Sequence, residues 1–205
     1  LPLSMGKGLG GGSSINVMVW ARGHKEDWNH FAAEAGDDAW GYESVLGYYR
    51  RIEDWRGAPD PVRRGVGGPV HVAQPDAPQP IARAMIQSAE ALGIPVFDNP
   101  NGAMMEADGG AAITELRILN GKRQSVYQSY VAPLATRRNL TIVTGALVSR
   151  LLFDGKRVVG VEVLVGGQRR QFKAQFETIL SLGAVNTPKV LMQSGIGPED
   201  ELSGH

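Results

Sequence analysis

The residues best suited to chemistry crowd near the start of the chain. Gly6, Gly8 and Gly10 to Gly12 make a glycine-dense tract, followed at once by Ser13, Ser14 and Asn16. Glycine lets a backbone approach a ligand closely, and successive N–H groups on such a backbone can face an anion. The two hydroxyls and the amide add donors and acceptors. The alternative for such a tract is a plain surface loop, a common use of glycine-rich segments. Gly6-Lys7-Gly8-Leu9-Gly10-Gly11 also spells G-x-G-x-x-G. That fingerprint is meaningful only between a strand and a helix of a βαβ unit. Only five residues precede Gly6, one of them Pro2, so the match is read as accidental.

Other chemistries are excluded or unsupported. The chain has no cysteine, which rules out disulfides, thiolate catalysis and cysteine metal sites. Its four histidines, His24, His30, His71 and His205, stand apart from one another, and each reads as a surface or packing residue. No catalytic residue and no metal ligand is assigned. Lys plus Arg equals Asp plus Glu at 21 each, so no basic excess marks a nucleic-acid binder. The arginine pairs Arg50-Arg51, Arg63-Arg64, Arg137-Arg138 and Arg169-Arg170 read as solvated faces. No apolar run approaches the roughly 20 residues of a membrane span. The first residues, Leu1 to Met5, lack the basic-then-apolar order of a secretion signal. A cysteine-free chain of this kind is expected in the cytoplasm.

Several elements must position the glycine tract. Tyr42 to Trp55 carries Val45, Leu46, Tyr49 and Ile52 at helical spacing. Gly68 to Val72 reads as a short strand. Ile81 to Leu92 reads as a helix that Gly93 stops. Arg123 to Thr136 is helical in pattern, ended or kinked by Pro133. The period then falls to two. Leu140 to Val143 is a predicted strand, and Ala146 to Phe153, Val158 to Val165 and Gln168 to Ala174 form a predicted antiparallel meander. Its turns fall at Asp154-Gly155 and Gly166-Gly167. Glu177 to Leu182 has the apolar look of a buried parallel strand, leading into a helix that starts near Thr187-Pro188.

Two long segments carry a family resemblance. One is Gly6-Lys7-Gly8-Leu9-Gly10-Gly11-Gly12-Ser13-Ser14-Ile15-Asn16, continued by Trp20, Gly23 and Asn29. The other is Gly183-Ala184-Val185-Asn186-Thr187-Pro188-Lys189-Val190-Leu191-Met192-Gln193-Ser194-Gly195-Ile196-Gly197. Between them, Gly121-Lys122-Arg123-Gln124-Ser125 and Asn139 to Thr144 stand in matching order. Together they resemble the signatures of the glucose–methanol–choline (GMC) oxidoreductases, which use FAD, and the resemblance covers essentially the whole chain.

The resemblance implies an α/β fold: an incomplete FAD/NAD(P)-binding-type domain with an antiparallel β-meander and the beginning of a substrate-binding α+β domain. Residues 1–66 and 119–205 would serve the FAD domain, and residues 67–118 the substrate domain. Gly10, Gly11, Gly12 and Ser13 would run along the FAD. Asn16, Val17, Met18 and Val19 would line the flavin, with Asn16 bonding to it. Val148 would meet the adenine through its backbone. Taken without the resemblance, Asn16 serves equally as a turn cap and Val148 as an ordinary core residue. The family's covalent attachment uses a histidine just before the asparagine. Ile15 stands there, so the resemblance implies non-covalent FAD. The implied parent oxidises a small-molecule alcohol to an aldehyde or ketone by hydride transfer. The catalytic histidine region and the true dinucleotide motif are expected outside this chain. The piece alone is expected to be inactive and prone to aggregate. A flavin-bearing hydroxynitrile lyase of the same family, and a non-catalytic nucleotide-binding fragment, are the alternatives.

Overall fold

The computed structural model describes residues 4–202; Leu1 to Leu3 and the histidine at 205 lie outside the described residues. The chain divides into two compact units, 1–140 and 141–205.

The first unit is built from helices and short ribbons. Its elements are β1 (Val19–Trp20), α1 (Lys25–Ala35), α2 (Tyr42–Ile52), β2 (Glu53–Trp55), β3 (Val70–Val72), α3 (Pro80–Ala91), β4 (Glu115–Leu116), β5 (Ile118–Leu119) and β6 (Lys122–Arg123). β1 pairs antiparallel with β4, β2 parallel with β3, and β5 antiparallel with β6. The β5–β6 hairpin turns on Asn120 and Gly121, both at positive φ, as a tight hairpin turn of this hand requires.

Helix α1 has no counterpart among the sequence expectations, because its apolar residues make no clear stripe and none is fully buried. Its signal lies in its ends. His24 caps it, with Nδ1 accepting from the Glu26 amide at 3.1 Å while the Asp27 carboxylate accepts from the His24 amide. The other ring nitrogen lies 2.8 Å from the Ala107 carbonyl, so it carries the proton. The helix stops at Gly36, φ 62°. Helix α2 buries Tyr42 and Leu46 against Met105, with Trp28 packed alongside. It ends at Ile52 rather than Trp55, because Glu53 to Trp55 pair with Val70 to Val72. Trp55, Val70 and Val72 form a second small core with Trp20 and Ile52.

Beside these cores the unit buries ions. Arg22, Glu53, Arg64, Glu115 and Asn101 are each at most 3% exposed. Arg64 grips both carboxylates through paired bonds: Nε and Nη2 reach Glu53 at 3.0 and 2.9 Å, and Nη1 and Nη2 reach Glu115 at 2.5 and 2.8 Å. Arg22 Nη2 pairs with Glu53. Asn101 donates to Glu115 and to the Trp20 carbonyl, and its own carbonyl accepts from the Arg22 amide. The Trp20 indole donates to Glu53. Burial lowers the Arg22 pKa, with Glu53 opposing. Burial also pulls on Arg64, but its bonds to Glu115 and Glu53 outweigh that and leave it raised. The pair Arg63-Arg64 is therefore no solvated face: Arg64 points into this network and Arg63 pairs with Glu106. A paired neighbour pattern cannot reveal acids that lie far away in sequence.

The second unit is a three-stranded antiparallel sheet, β7 (Ala146–Asp154), β8 (Arg157–Val165) and β9 (Gln168–Lys173), with α4 (Gly183–Gln193) and the short α5 (Glu199–Leu202). The first turn is centred on Gly155-Lys156, one residue later than Asp154-Gly155, because Asp154 pairs with Arg157. The second turn is Gly166-Gly167, both at positive φ. Helix α4 packs on β7: Val190 and Leu151 are buried, and the Ser194 hydroxyl accepts from the Leu151 amide at 2.9 Å while donating to the Val190 carbonyl.

Four further expectations are corrected. Residues 140–143 and 177–182 form no strand, because no described backbone pairs with either; Ile142 and Ile179 are exposed. A two-residue period signals an extended chain, but a ladder needs a partner. Residues 123–136 are not one helix: Arg123 belongs to β6, a wide π-type turn spans Tyr127–Val131, and a 3₁₀ turn at Ala132–Leu134 contains Pro133. Proline offers no N–H to continue an α-ladder. Helix α4 starts at Gly183, with Pro188 inside it rather than at its first turn.

Candidate functional site

The glycine tract is folded and held. Gly10 sits at φ 87°, and a 3₁₀ turn follows over Gly11–Ser14. Backbone bonds close it from Gly11 to Gly8, Ser13 to Gly10 and Asn16 to Gly12, at 2.9 to 3.1 Å. A 3₁₀ turn rather than an α-helix follows the glycines, so the tract lacks the helix start that the dinucleotide fingerprint requires. A Cβ on Gly10 would stand 2.5 Å from Ser14 Oγ and 3.2 Å from Ser125 Oγ, so only glycine fits. At Gly11 and Gly12 nothing lies within 4 Å of that point. The tract is thus closed on one side and open to a ligand on the other.

Ser13 and Arg123 supply the closed side. The Ser13 hydroxyl donates to the Gly10 carbonyl and accepts from the Val126 amide at 2.9 Å. Arg123 Nη1 reaches the Ser13 carbonyl, the Asn16 carbonyl and Asn16 Oδ1 at 3.2, 2.5 and 3.0 Å. Ser125, buried, accepts from the Gln128 amide and starts the helical turns beyond it. Two segments about 110 residues apart are thereby locked together.

Asn16 caps a tight turn, with Oδ1 also accepting from the Met18 amide at 3.0 Å. Met18 adopts φ 65°, a left-handed value unusual for its side chain. The Arg117 amide, donating to the Met18 carbonyl at 2.9 Å, holds it there. Among the described residues, the Asn16 Nδ2 donates to no protein acceptor, which leaves its amide for a ligand. Ile15, Val17 and Val19 are exposed, at 58%, 75% and 38%. An apolar strip with one free amide beside an open glycine backbone suits a flat ring joined to an anionic tail. This fits a flavin dinucleotide.

The structure brings Gly10, Gly11, Gly12, Ser13, Asn16, Val17, Met18 and Val19 into one continuous feature of the first unit. Val148 belongs to the second, where it is half-buried on β7 opposite Val163. Sequence reasoning quoted Arg123 only as part of a segment and passed over Arg117. The signal for Arg117 was a lone cation in the apolar run Leu116-Arg117-Ile118. A cleft of about 580 Å³ is lined by Leu116 and Ile118 of that run together with Arg56, His71, Gln74, Asp76 and the β5–β6 turn. His71 Nδ1 lies 3.9 Å from Asp54 there, and His30 is exposed on α1. Among the described residues no cluster could hold a metal ion, and no helix is long and apolar enough to cross a membrane.

Comparison with known proteins gives a consistent result. The family profile of the GMC oxidoreductases matches residues 1–204. An uncharacterized GMC-type oxidoreductase of Mycobacterium bovis is 40% identical over 98% of this chain and 38% of its own length. The mitochondrial choline dehydrogenase of Mus musculus is 39% identical over 96% of this chain and 32% of its own. The crystal structure of pyridoxine 4-oxidase from Mesorbium loti superposes with a TM-score of 0.86 at 33% identity, over 94% of this chain and 37% of that one. The chain thus spans about a third of the length of the relatives it matches.

Proposed function

The chain belongs to the GMC oxidoreductase family, and from that premise we propose that it is the cofactor-contacting part of an FAD-dependent enzyme that oxidises a CH–OH group. The observation that carries this reading is the glycine tract: closed by Ser13 and Arg123, open at Gly11 and Gly12, and flanked by exposed Ile15, Val17 and Val19.

When bound, FAD supplies the two-electron acceptor for the carbon that bears the hydroxyl. The chain's own residues do the rest of what is described here. Gly11 and Gly12, with nothing within 4 Å of a Cβ position, let the anionic part of the dinucleotide approach the backbone closely, and Gly12 offers its amide while the Gly11 amide closes the turn on Gly8. Asn16, its carbonyl fixed by Met18 and Arg123, presents Nδ2 to the acceptor-rich edge of the ring. Val17 and Val19 exclude water from the ring face, and Met18 sets the strand so that they do. Ile15 offers no side chain for covalent attachment, so FAD is held non-covalently. Residues 1–66 and 119–205 serve the cofactor, and residues 67–118 serve the substrate side. We assign the proton-abstracting base to no residue of this chain, since His24 is a helix cap and His71 sits beside Asp54. The substrate is a small alcohol.

The test is a visible absorption scan of the protein expressed from its complete reading frame, followed by a screen of alcohols under anaerobic conditions. A flavin spectrum that bleaches with an alcohol supports the reading. A protein that purifies without flavin and takes up none from added FAD overturns it.

A further inference from the structure

The Asn16 side chain is pinned at one end by two donors. Its Oδ1 accepts from the Met18 amide and from Arg123 Nη1, both at 3.0 Å. An amide nitrogen cannot accept, so these donors fix which end is oxygen and turn Nδ2 the other way. The same Nη1 also holds the Asn16 and Ser13 carbonyls. Arginine carries its charge at every physiological pH. Among the described residues the partners of Arg123 are these uncharged oxygens, and no acid pairs with it. Arg22, Arg63 and Arg64 by contrast each meet a carboxylate. The charge of Arg123 is felt as far as Arg117, whose pKa is lowered first by burial and then by Arg123. Holding a turn closed needs only donors, which a neutral side chain also supplies. A cation at the oxygen end of an amide does more: it polarises the group and strengthens the hydrogen bond that the nitrogen end can give.

We infer that Arg123 is a positioning residue of the redox step: acting through the Asn16 amide, it favours the charge that the flavin gains on reduction. The inference rests on the FAD reading and deepens it. In that reaction the C–H bond of the alcohol breaks, and the hydrogen passes with its electron pair to the ring as hydride. The hydroxyl proton goes to a general base. The alcohol is oxidised, and the ring is reduced by two electrons and gains one negative charge. A fixed donor backed by a cation, aimed where charge develops, stabilises that charge without having to reorganise. Arg123 lies on the closed side of the tract, so it acts on the ring through Asn16 and not by contact.

The experiment measures the midpoint potential of the bound flavin in the holoprotein expressed from its complete reading frame, by equilibration with a dye of known potential. Arg123→Gln keeps an N–H donor and removes the charge, whereas Arg123→Lys keeps the charge. Arg123→Gln should lower the equilibrium constant for two-electron reduction about tenfold, a shift of about 30 mV. Arg123→Lys should recover most of it. Asn16→Ala should lower the potential too, and Arg123→Gln added to it should lower it by less than Arg123→Gln alone does. Should Arg123→Gln fail to hold flavin, Asn16→Asp carries the test. Its carboxylate keeps both bonds at Oδ1, neutralises the guanidinium and removes the Nδ2 donor, so the potential must fall. Equal losses for Arg123→Gln and Arg123→Lys, or weaker FAD binding at an unchanged potential, overturn the inference and leave Arg123 a structural clip while the FAD reading stands. A full effect of Arg123→Gln in the Asn16→Ala background overturns the route through Asn16. A parent that takes up no flavin at all sinks both readings.

Discussion

Two pairs of arginines, opposite in company, divide the first unit: Arg22, Arg64 and Arg117 are buried and Arg123 is half-buried. Arg22 and Arg64 meet Glu53 and Glu115 inside a closed hydrogen-bond network that also takes in Asn101, the Trp20 indole and the Gly65 amide. Arg64 further stacks 3.8 Å over the Trp55 ring. Its charges balance, and it joins β1, β2 and β4 to the loops around them. Arg123 meets two backbone carbonyls and the Asn16 side chain, and the Arg117 Nε is buried without a partner among the described residues. The first pair reads as architecture, because every charge is answered within the chain. The second has no carboxylate partner among the described residues. Burial alone does not separate these roles; the presence of an acid does.

The comparison can be broken most sharply from its balanced side. Glu53→Leu leaves Arg22 and Arg64 short of a partner in a dry interior, and should cost about 3–5 kcal/mol in urea unfolding. A loss below about 1 kcal/mol, the range of exposed ion pairs, would show the network to be solvated. Gly10→Val pushes a side chain into Ser14 and Ser125 at a positive φ. Strain and overlap together should cost about 2–3 kcal/mol and abolish flavin retention after desalting. Native stability with flavin retained would mean the tract refolds freely. On the unbalanced side, Arg123→Met removes one cation that bonds three oxygens. It should cost about 1.5–3 kcal/mol and speed amide exchange over residues 13–18, with exchange elsewhere unchanged.

A smaller effect tests a pair that is partly solvated. The Arg63 guanidinium lowers the Glu106 pKa from 4.5, against the opposing effect of burial, and the Tyr42 hydroxyl assists. The folded value lies below the unfolded one, so this contribution is fully present above pH 4.5 and is lost as pH falls through the depressed value. Glu106→Gln should therefore lower stability at neutral pH and flatten the acid limb of a pH–stability curve; an unchanged limb would remove Glu106 from the balance. The smallest effect is at Met18. Glycine there relieves left-handed strain but adds chain entropy, so Met18→Gly should change stability by less than about 0.5 kcal/mol. Met18→Val should cost about 1 kcal/mol, since a branched side chain tolerates that backbone worst.

Much of the local structure was legible. Helix α3 and its stop at Gly93, the β7–β8–β9 hairpins and the Gly166-Gly167 turn follow from period and turn chemistry that a window of a dozen residues contains. Helix α1 escaped because its evidence is a histidine cap and a glycine stop rather than an apolar stripe. Residues 140–143 and 177–182 looked like strands because they are short apolar runs, yet pairing is a property of two segments. In the candidate site, the glycine tract and Asn16 were legible from their types. Arg64, Arg117 and Arg123 were not, because an arginine spelled in sequence carries no sign of what lies opposite it.

The sequence by itself determined the glycine tract, the absence of thiol chemistry and the family to which the chain belongs, since each depends on residue types in fixed order. The tertiary structure decided which face of the tract is closed, which arginines are answered by acids and which hold a charge open. Those depend on Ser13 meeting Val126, Arg123 meeting Asn16 and Arg64 meeting Glu115, pairs separated by 51 to 113 residues. Electrostatic partnership falls off over ångströms of space, and distance along the chain does not encode it.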